Sequence, residues 1–126
     1  MRHVRHIVCF GVLAAMALPA AAAEWGMKKG DPGLQSAGPL AFGTGGILFV
    51  GDTKAAAVVA LATGEKTGNP NEVELHAHGI DKTIAKSLGV DSVTINDMAV
   101  NPASGNAYVS VSHGDKQVPA IIKVQP

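Results

Sequence analysis

Residues 38–61 form an apolar stretch interrupted by glycine, and this stretch limits the folds open to the chain. Its three apolar runs are residues 39–42, 47–50 and 56–61. Glycine adopts positive φ without steric strain, so glycine clusters between β-branched and aromatic runs are typical of tight hairpins. The stretch therefore predicts three short antiparallel strands.

A second stretch, residues 96–124, repeats this pattern. Residues 40–42 align with 98–100 at an offset of 58, and Phe49-Val50 aligns with Tyr108-Val109 at an offset of 59. The last runs, 58–61 and 121–124, align at an offset of 63. Repeats of this length with several strands each are typical of propeller blades. We therefore predict an all-β fold of two antiparallel β-meander, propeller-blade-like units.

The predicted domain covers residues 24–126. Unit one is expected at about residues 38–78 and unit two at about 92–126, with one short helix at about 81–88 between them. Asp81 is the expected N-cap of this helix and Gly89 its stop. Residues 72–76 alternate charged and apolar side chains, which predicts a fourth edge strand for unit one. Unit two is expected to end after three strands, with an unpaired last strand.

Residues 1–23 have the composition of a secretory signal peptide. Arg2 and Arg5 precede an apolar run at 7–18, and Ala21 and Ala23 supply small residues before the expected cut. The run is shorter than the roughly 20 residues of a membrane-spanning helix, which disfavours an uncleaved anchor. We expect a periplasmic or secreted chain with no stable membrane span after cleavage.

Cleavage would change the chemistry available to the chain. It would remove Cys9, the only cysteine, together with both arginines, leaving eight lysines against ten acidic residues. A chain without cysteine has no thiol chemistry, and one without arginine lacks the bidentate groups that favour phosphate. With no basic stripe either, nucleic acid is not an expected partner.

The two units resemble the NHL-type and SMP-30-like bacterial β-propeller repeats. Residues 41–52, AFGTGGILFVGD, are similar to the repeat pattern Ala-Val-Asp-x-x-Gly-x-Ile-Tyr-Val-Ala-Asp, and residues 99–109, AVNPASGNAYV, are similar to its first part. Lys54 and alanines stand where an NHL repeat has its arginine-containing end. Since propellers close with about four to eight blades, the resemblance implies an N-terminal fragment or truncated form, an assembly of copies, or a two-sheet sandwich.

The resemblance also implies a metal site. In the lactonase and gluconolactonase propellers, Asn and Asp side chains near the central channel hold calcium, and Asn96-Asp97 is similar to such a stretch. It thus implies calcium as a possible cofactor and a calcium-dependent propeller hydrolase as the alternative function. Calcium takes about six to eight oxygen ligands, more than this pair provides. Hydrogen bonding at a turn or strand entry is the favoured interpretation of Asn96 and Asp97.

His76 and His78 are a weaker candidate for a metal site. On a strand, alternate residues share a face, so both imidazoles would be placed to bind copper or zinc. No cysteine or close carboxylate completes the four ligands that zinc prefers, and exposed loop histidines are the favoured interpretation.

Nucleophilic catalysis has little support in the sequence. Ser110 and Ser112 are expected on one strand face and His113 on the other, and no nucleophile elbow is present. The leading hypothesis is an exported, non-enzymatic β-repeat binding or scaffold protein without a required cofactor. Its partner is an unidentified protein or small molecule, and the open sheet edge predicts self-association.

Overall fold

The computed structural model describes residues 6–9, 25–74, 76 and 78–125, with the side chains of 6–9 left aside. Within these residues the chain forms strands and one α-helix, joined by loops and by 3₁₀ turns at Thr44–Gly46 and Pro70–Glu72. The elements in order are β1 (His6–Cys9), β2 (Leu40–Phe42), β3 (Ile47–Asp52), β4 (Ala57–Ala62), α1 (Ile80–Leu88), β5 (Val93–Val100), β6 (Ala107–His113) and β7 (Val118–Gln125).

The predicted all-β fold with two antiparallel meanders and one intervening helix is confirmed. The first sheet has the order β2-β3-β4, and the second contains the meander β5-β6-β7. The hydrogen-bonded pairs are all antiparallel. No helix among the described residues is long and apolar enough to cross a membrane.

The cross-strand register reproduces the repeat seen in the sequence. Equivalent rows of three residues cross the sheets, namely Leu40, Val50 and Val59 in the first and Met98, Val109 and Ile122 in the second. Members of the two rows are separated by 58, 59 and 63 positions, the offsets found in the sequence. The two units therefore share the same strand register. The offset grows from 58 to 63 along the unit because the connections between paired residues are longer in the second unit than in the first.

The two sheets pack face to face over a common core. Leu48, Val50 and Leu61 of the first sheet contact Tyr108 and Ile121 of the second, and these residues are buried. Phe42 meets the Tyr108 ring edge to face, with centroids 5.2 Å apart. Burying an apolar side chain of this size contributes about 1.5–3 kcal/mol, so this interface is a major source of stability.

Helix α1 covers the other face of the second sheet. Ile84 is fully buried there against Val109, Val111 and Ile122. The helix ends at Gly89, as expected, and this residue has a positive φ of 68°. The expected start was wrong by two residues, because Gly79 takes the N-cap position and places Asp81 in the first turn.

The structure also differs from the expected outer strands of both units. Pro70–Glu72 forms a 3₁₀ turn in place of the start of a fourth strand, and the described residues among 73–76 are not in a strand. Val73 instead lies against Gly105 of the second unit. The second sheet gains a fourth strand, since β1 pairs with β7 in the order β1-β7-β6-β5. The expectation of an unpaired last strand was made for residues 24–126, and since β1 lies inside the predicted signal peptide, it stays a prediction for the processed chain.

Candidate functional site

Asn96 and Asp97 lie next to each other where β5 faces the first sheet. The register of β5 against β6 shifts between Ile95 and Asp97, so Asn96 sits at a bulge. The Asn96 side-chain amide donates to the Ala37 carbonyl at 2.7 Å and to Ser112 Oγ at 2.8 Å. A bulge re-aims a side chain, and here it lets Asn96 link the second sheet to the segment before β2.

The carboxylate of Asp97 joins the two sheets directly. Its Oδ2 accepts the Leu40 N–H at 2.8 Å, and its Oδ1 accepts the Met98 N–H, also at 2.8 Å. These bonds hold the pKa of Asp97 below its ordinary value, against the opposing effect of burial. Both oxygens face N–H donors, whereas a calcium site surrounds the ion with oxygen atoms. The geometry thus favours the structural interpretation of this pair.

His76 and His78 lie in the loop before α1 and are both exposed. His76 Nε2 is 3.8 Å from Glu74 Oε2, and both side chains are more than four-fifths exposed. His113, at the end of β6, instead borders a polar cleft of about 460 Å³ beside residues 89–94. Among the described residues, no group of three or more His, Cys, Asp or Glu side chains is placed to hold a metal ion.

Asp52 is a second structural carboxylate, and in the sequence it stands out only as the last residue of the repeat pattern at 41–52. It is 1% exposed and accepts hydrogen bonds from the backbone N–H groups of Gln35, Ser36 and Ala55 and from Ser36 Oγ. Burial raises the pKa of Asp52, but these bonds outweigh it and leave the pKa below its ordinary value. The available signal was its position as the last Asp of the repeat pattern.

A polar cluster around Glu65 connects the loop after β4 to the second unit. The Glu65 carboxylate forms an ion pair with Lys123 and accepts hydrogen bonds from Ser104 and Asn106. The buried Asn101 donates its amide to the Glu65 carbonyl at 3.0 Å. Burial lowers the pKa of Lys123. These contacts hold the long loop in place, and no pattern in the sequence predicts that these side chains would converge.

The Ser110 hydroxyl also forms a hydrogen bond that holds the structure together. It is fully buried, and its Oγ donates to the Gly38 carbonyl at 2.7 Å. Neighbouring Tyr108 is fully buried, and burial raises its pKa to about 12, while a hydrogen bond with Thr63 acts in the opposite direction. The Ser110 hydroxyl is directed at the backbone carbonyls of Gly38 and, at 3.4 Å, of Asp97, and a nucleophile would instead donate to a basic side chain, so Ser110 is not arranged as a nucleophile.

The exposed surface of the first sheet is apolar. Phe49 is 41% exposed, Val58 is 73% exposed, and Trp25 lies over Gly45 with 48% of its surface exposed. Trp25 and Phe49 line a groove of about 390 Å³, whereas Val58 is outside its lining. The groove is lined by Trp25, Met27, Gly43, Thr44, Ile47, Phe49 and Ala60.

Comparison with known proteins gives no family for the chain: no family model, curated protein or solved structure matches it.

Proposed function

We propose that this chain is an exported, non-enzymatic β-repeat protein that binds an apolar surface of another protein. The observation that carries the proposal is the groove beside Trp25 and Phe49 on the outer face of the first sheet. The groove has one side-chain hydroxyl, that of Thr44, and no charged side chain. Such a lining suits an apolar protein side chain and offers little to a charged or sugar-like ligand.

The equivalence of the two units supports this interpretation. Phe49 occupies the position in unit one that Tyr108 occupies in unit two, since both lie in the central strand at an offset of 59. Tyr108 is fully buried because the first sheet packs against its face. Phe49 lies on the corresponding face of unit one, where it remains partly exposed. A partner with an apolar face would cover Phe49 much as the first sheet covers Tyr108.

The polar side chains that could have served in catalysis form hydrogen bonds to the protein backbone instead, which favours a non-enzymatic role. Asp52, Asp97, Asn96 and Ser110 all hold the two sheets or their connecting segments together. The kinship with NHL-type and SMP-30-like repeats belongs to the same proposal. It accounts for the paired meanders, and it would make the chain a binding scaffold derived from a propeller.

The binding proposal is tested through Trp25, the single tryptophan, whose emission reports on the groove itself. The probe is the uncharged dye 6-propionyl-2-dimethylaminonaphthalene, an apolar ring system whose emission shifts to the blue when it is shielded from water. We expect energy transfer from Trp25 to bound dye, and a several-fold loss of this signal in Phe49→Ser. Val58→Ser is the matched control, because Val58 is on the same sheet but outside the groove lining. Equal signals in both variants would overturn the proposal.

Export is tested separately by sequencing the N-terminus of protein recovered from the periplasm or medium of an expressing bacterium. We expect the mature chain to begin at Glu24. Replacing Ala21 and Ala23 with leucine should leave the unprocessed chain in the cell, because the cut requires small residues at both positions. Recovery of residues 1–23 on the exported protein would contradict the predicted signal peptide.

A further inference from the structure

The edge strands of the two sheets differ in how well they are protected from pairing with another chain. Strand β2 has only three residues, and β5 carries a bulge. Residues 27–32 border the same groove as residues 59–62 of β4 and so lie beside that edge. Short strands, bulges and covering segments all discourage edge-to-edge pairing. Strand β7 is long and has no bulge, and the edge-protecting residues within it are Pro119, near its start, and Lys123.

Strand β7 is well suited to accept a further strand. It has eight residues and pairs with β6 in continuous register. Its one charged side chain, Lys123, is held in the ion pair with Glu65. A long strand without a bulge, whose one charged side chain is already held in an ion pair, is an edge prone to pair with another strand.

In the full chain this edge is occupied by β1. Residues His6–Cys9 run antiparallel to β7, with His6 opposite Gln125 and Cys9 opposite Ile122. The same four residues lie inside the predicted signal peptide. They cannot both pair with β7 and be removed by a signal peptidase, so processing at residue 23 would uncover the edge.

We propose that the outer edge of β7 is a strand-acceptor site with two successive occupants. In the unprocessed chain it holds the chain's own residues 6–9, and after their removal it holds β7 of a second copy. This inference rests on the predicted cleavage and not on the proposed groove function.

The side chains of β7 favour a second copy as the occupant. In a symmetric antiparallel pair, residues directly opposite each other must face the same side of the sheet. Pairing centred on Ile122 satisfies this, because it places Ile122 opposite the same residue of the second copy. It also places Lys123 opposite Ile121, so the two lysines do not face each other. The result is a continuous sheet with the order β5-β6-β7-β7-β6-β5.

The first experiment tests pairing within one chain. The full-length protein carries His6→Cys and Gln125→Cys in a Cys9→Ser background, because His6 and Gln125 are directly opposite. Directly opposite residues on antiparallel strands lie within reach of a disulfide. We expect an intramolecular disulfide on mild oxidation, read by mass spectrometry and thiol labelling. The control, His6→Cys with the exposed turn position Gln117→Cys, should stay reduced; equal cross-linking in both would overturn the first half of the proposal.

The second experiment tests pairing between copies, again with the full-length chain. Ile7→Pro together with Val8→Pro removes two successive N–H groups, and since these alternate in direction, one of them belongs to the β1–β7 ladder. Under reducing conditions we expect the light-scattering mass to double, while Ile7→Val with Val8→Ile keeps the monomer mass. A proline variant that stays monomeric, or that forms only heterogeneous aggregate, would overturn the proposal.

A cysteine on β7 distinguishes this dimer from association through any other surface. In the proline variant with Cys9→Ser, Ile122→Cys should form a disulfide between copies, whereas Val118→Cys on the same strand should not. A dimer that cross-links at neither position, or equally at both, would contradict the symmetric pairing. The dye signal from Trp25 should be unchanged throughout, so failure here and failure of the groove proposal are separate outcomes.

Discussion

At the level of single residues, the polar side chains between the sheets act as fixed links. Asn96 and Asp97 each bond a backbone group of the segment at or before β2. Ser110 bonds the Gly38 carbonyl in the same segment. Ser110 is fully buried, so leaving its bond unmade would cost about 1–3 kcal/mol, whereas the bonds of the exposed Asn96 and the half-buried Asp97 contribute the smaller net amount of about 0.5–1.5 kcal/mol each.

Replacing Asn96 separates the structural from the metal-binding interpretation. Asn96 is exposed, but Asn96→Ala removes both of its side-chain hydrogen bonds, and we expect a loss of about 0.5–1.5 kcal/mol in the free energy of unfolding. Thr94→Ala, an exposed change on the same strand, should have little effect. Urea denaturation with and without millimolar calcium is the measurement. The loss should be equal in both conditions, and a calcium-dependent rise in stability that disappears in Asn96→Ala would instead support the metal site.

Because two carboxylates have lowered pKa values in the folded protein, we expect the protein to lose stability at acid pH. Asp52 and Asp97 both have folded-state pKa values below the ordinary 3.8. Their contribution to stability is therefore complete above the unfolded-state pKa and is lost as the pH falls through the folded values. We expect the free energy of unfolding to decrease as the pH drops below about 4, measured by urea denaturation at a series of pH values.

The matched variants for this acid effect are Asp52→Asn and Asp115→Asn. Asp52→Asn should destabilise the protein at neutral pH and differ progressively less from the parent as the pH falls. Asp115 is an exposed turn residue, so its replacement should leave the pH profile of the parent unchanged. A constant difference between Asp52→Asn and the parent at all pH values would contradict the role given to this carboxylate.

At the level of elements, the hairpin turns decide where each strand ends. The β3–β4 and β6–β7 turns use a non-glycine residue at positive φ in equivalent positions, Ala56 at 51° and Gln117 at 53°. Each of these residues donates its N–H three residues back, to Thr53 or Gly114. The repeat thus extends to turn geometry, although the two turns share little sequence.

The glycine before β3 is required for space as well as for conformation. Gly46 has a φ of 73°, and a Cβ there would lie 2.5 Å from the Glu65 carbonyl oxygen. Gly114 has a similar φ of 71° with open space around it. We expect Gly114→Ala to cost roughly 1–2 kcal/mol from backbone strain alone, and Gly46→Ala to cost clearly more. Thermal unfolding of both variants measures this, and equal losses would show that the loop at Glu65 moves aside.

At the level of the whole molecule, the shared core should make the two units unfold together. Ile121 of the second sheet is buried among residues of the first, and helix α1 packs on the other face of the second sheet. Urea midpoints from Trp25 emission and from circular dichroism should therefore coincide. Ile121→Val should lower both midpoints equally, which corresponds to a loss of about 0.5–1.5 kcal/mol in the free energy of unfolding. Replacing the exposed Lys82 with alanine should change neither midpoint. Two separate transitions would contradict a common core.

The sequence by itself determined the elements and their repeat. Glycine turns, strand-length apolar runs and the helical spacing of Ile84, Ala85 and Leu88 are local properties. Strands β2 to β7 and the helix occur within one or two residues of the expected positions, whereas the described residues among 72–76 do not form the expected strand and β1 was not expected. The offsets of 58, 59 and 63 also follow from local spacing, because strand register in a meander depends on turn length.

Only the tertiary structure decided what the polar and edge residues do. Asp52, Glu65 and Asp97 find partners between 16 and 57 positions away, and hydrogen bonds at such separations leave no periodic signal in the sequence. The pairing of β1 with β7 joins the two ends of the chain, where composition predicted a signal peptide and an unpaired strand. Local patterns specify secondary structure through backbone conformation and the burial of one face, but distant partners depend on how the completed sheets stack.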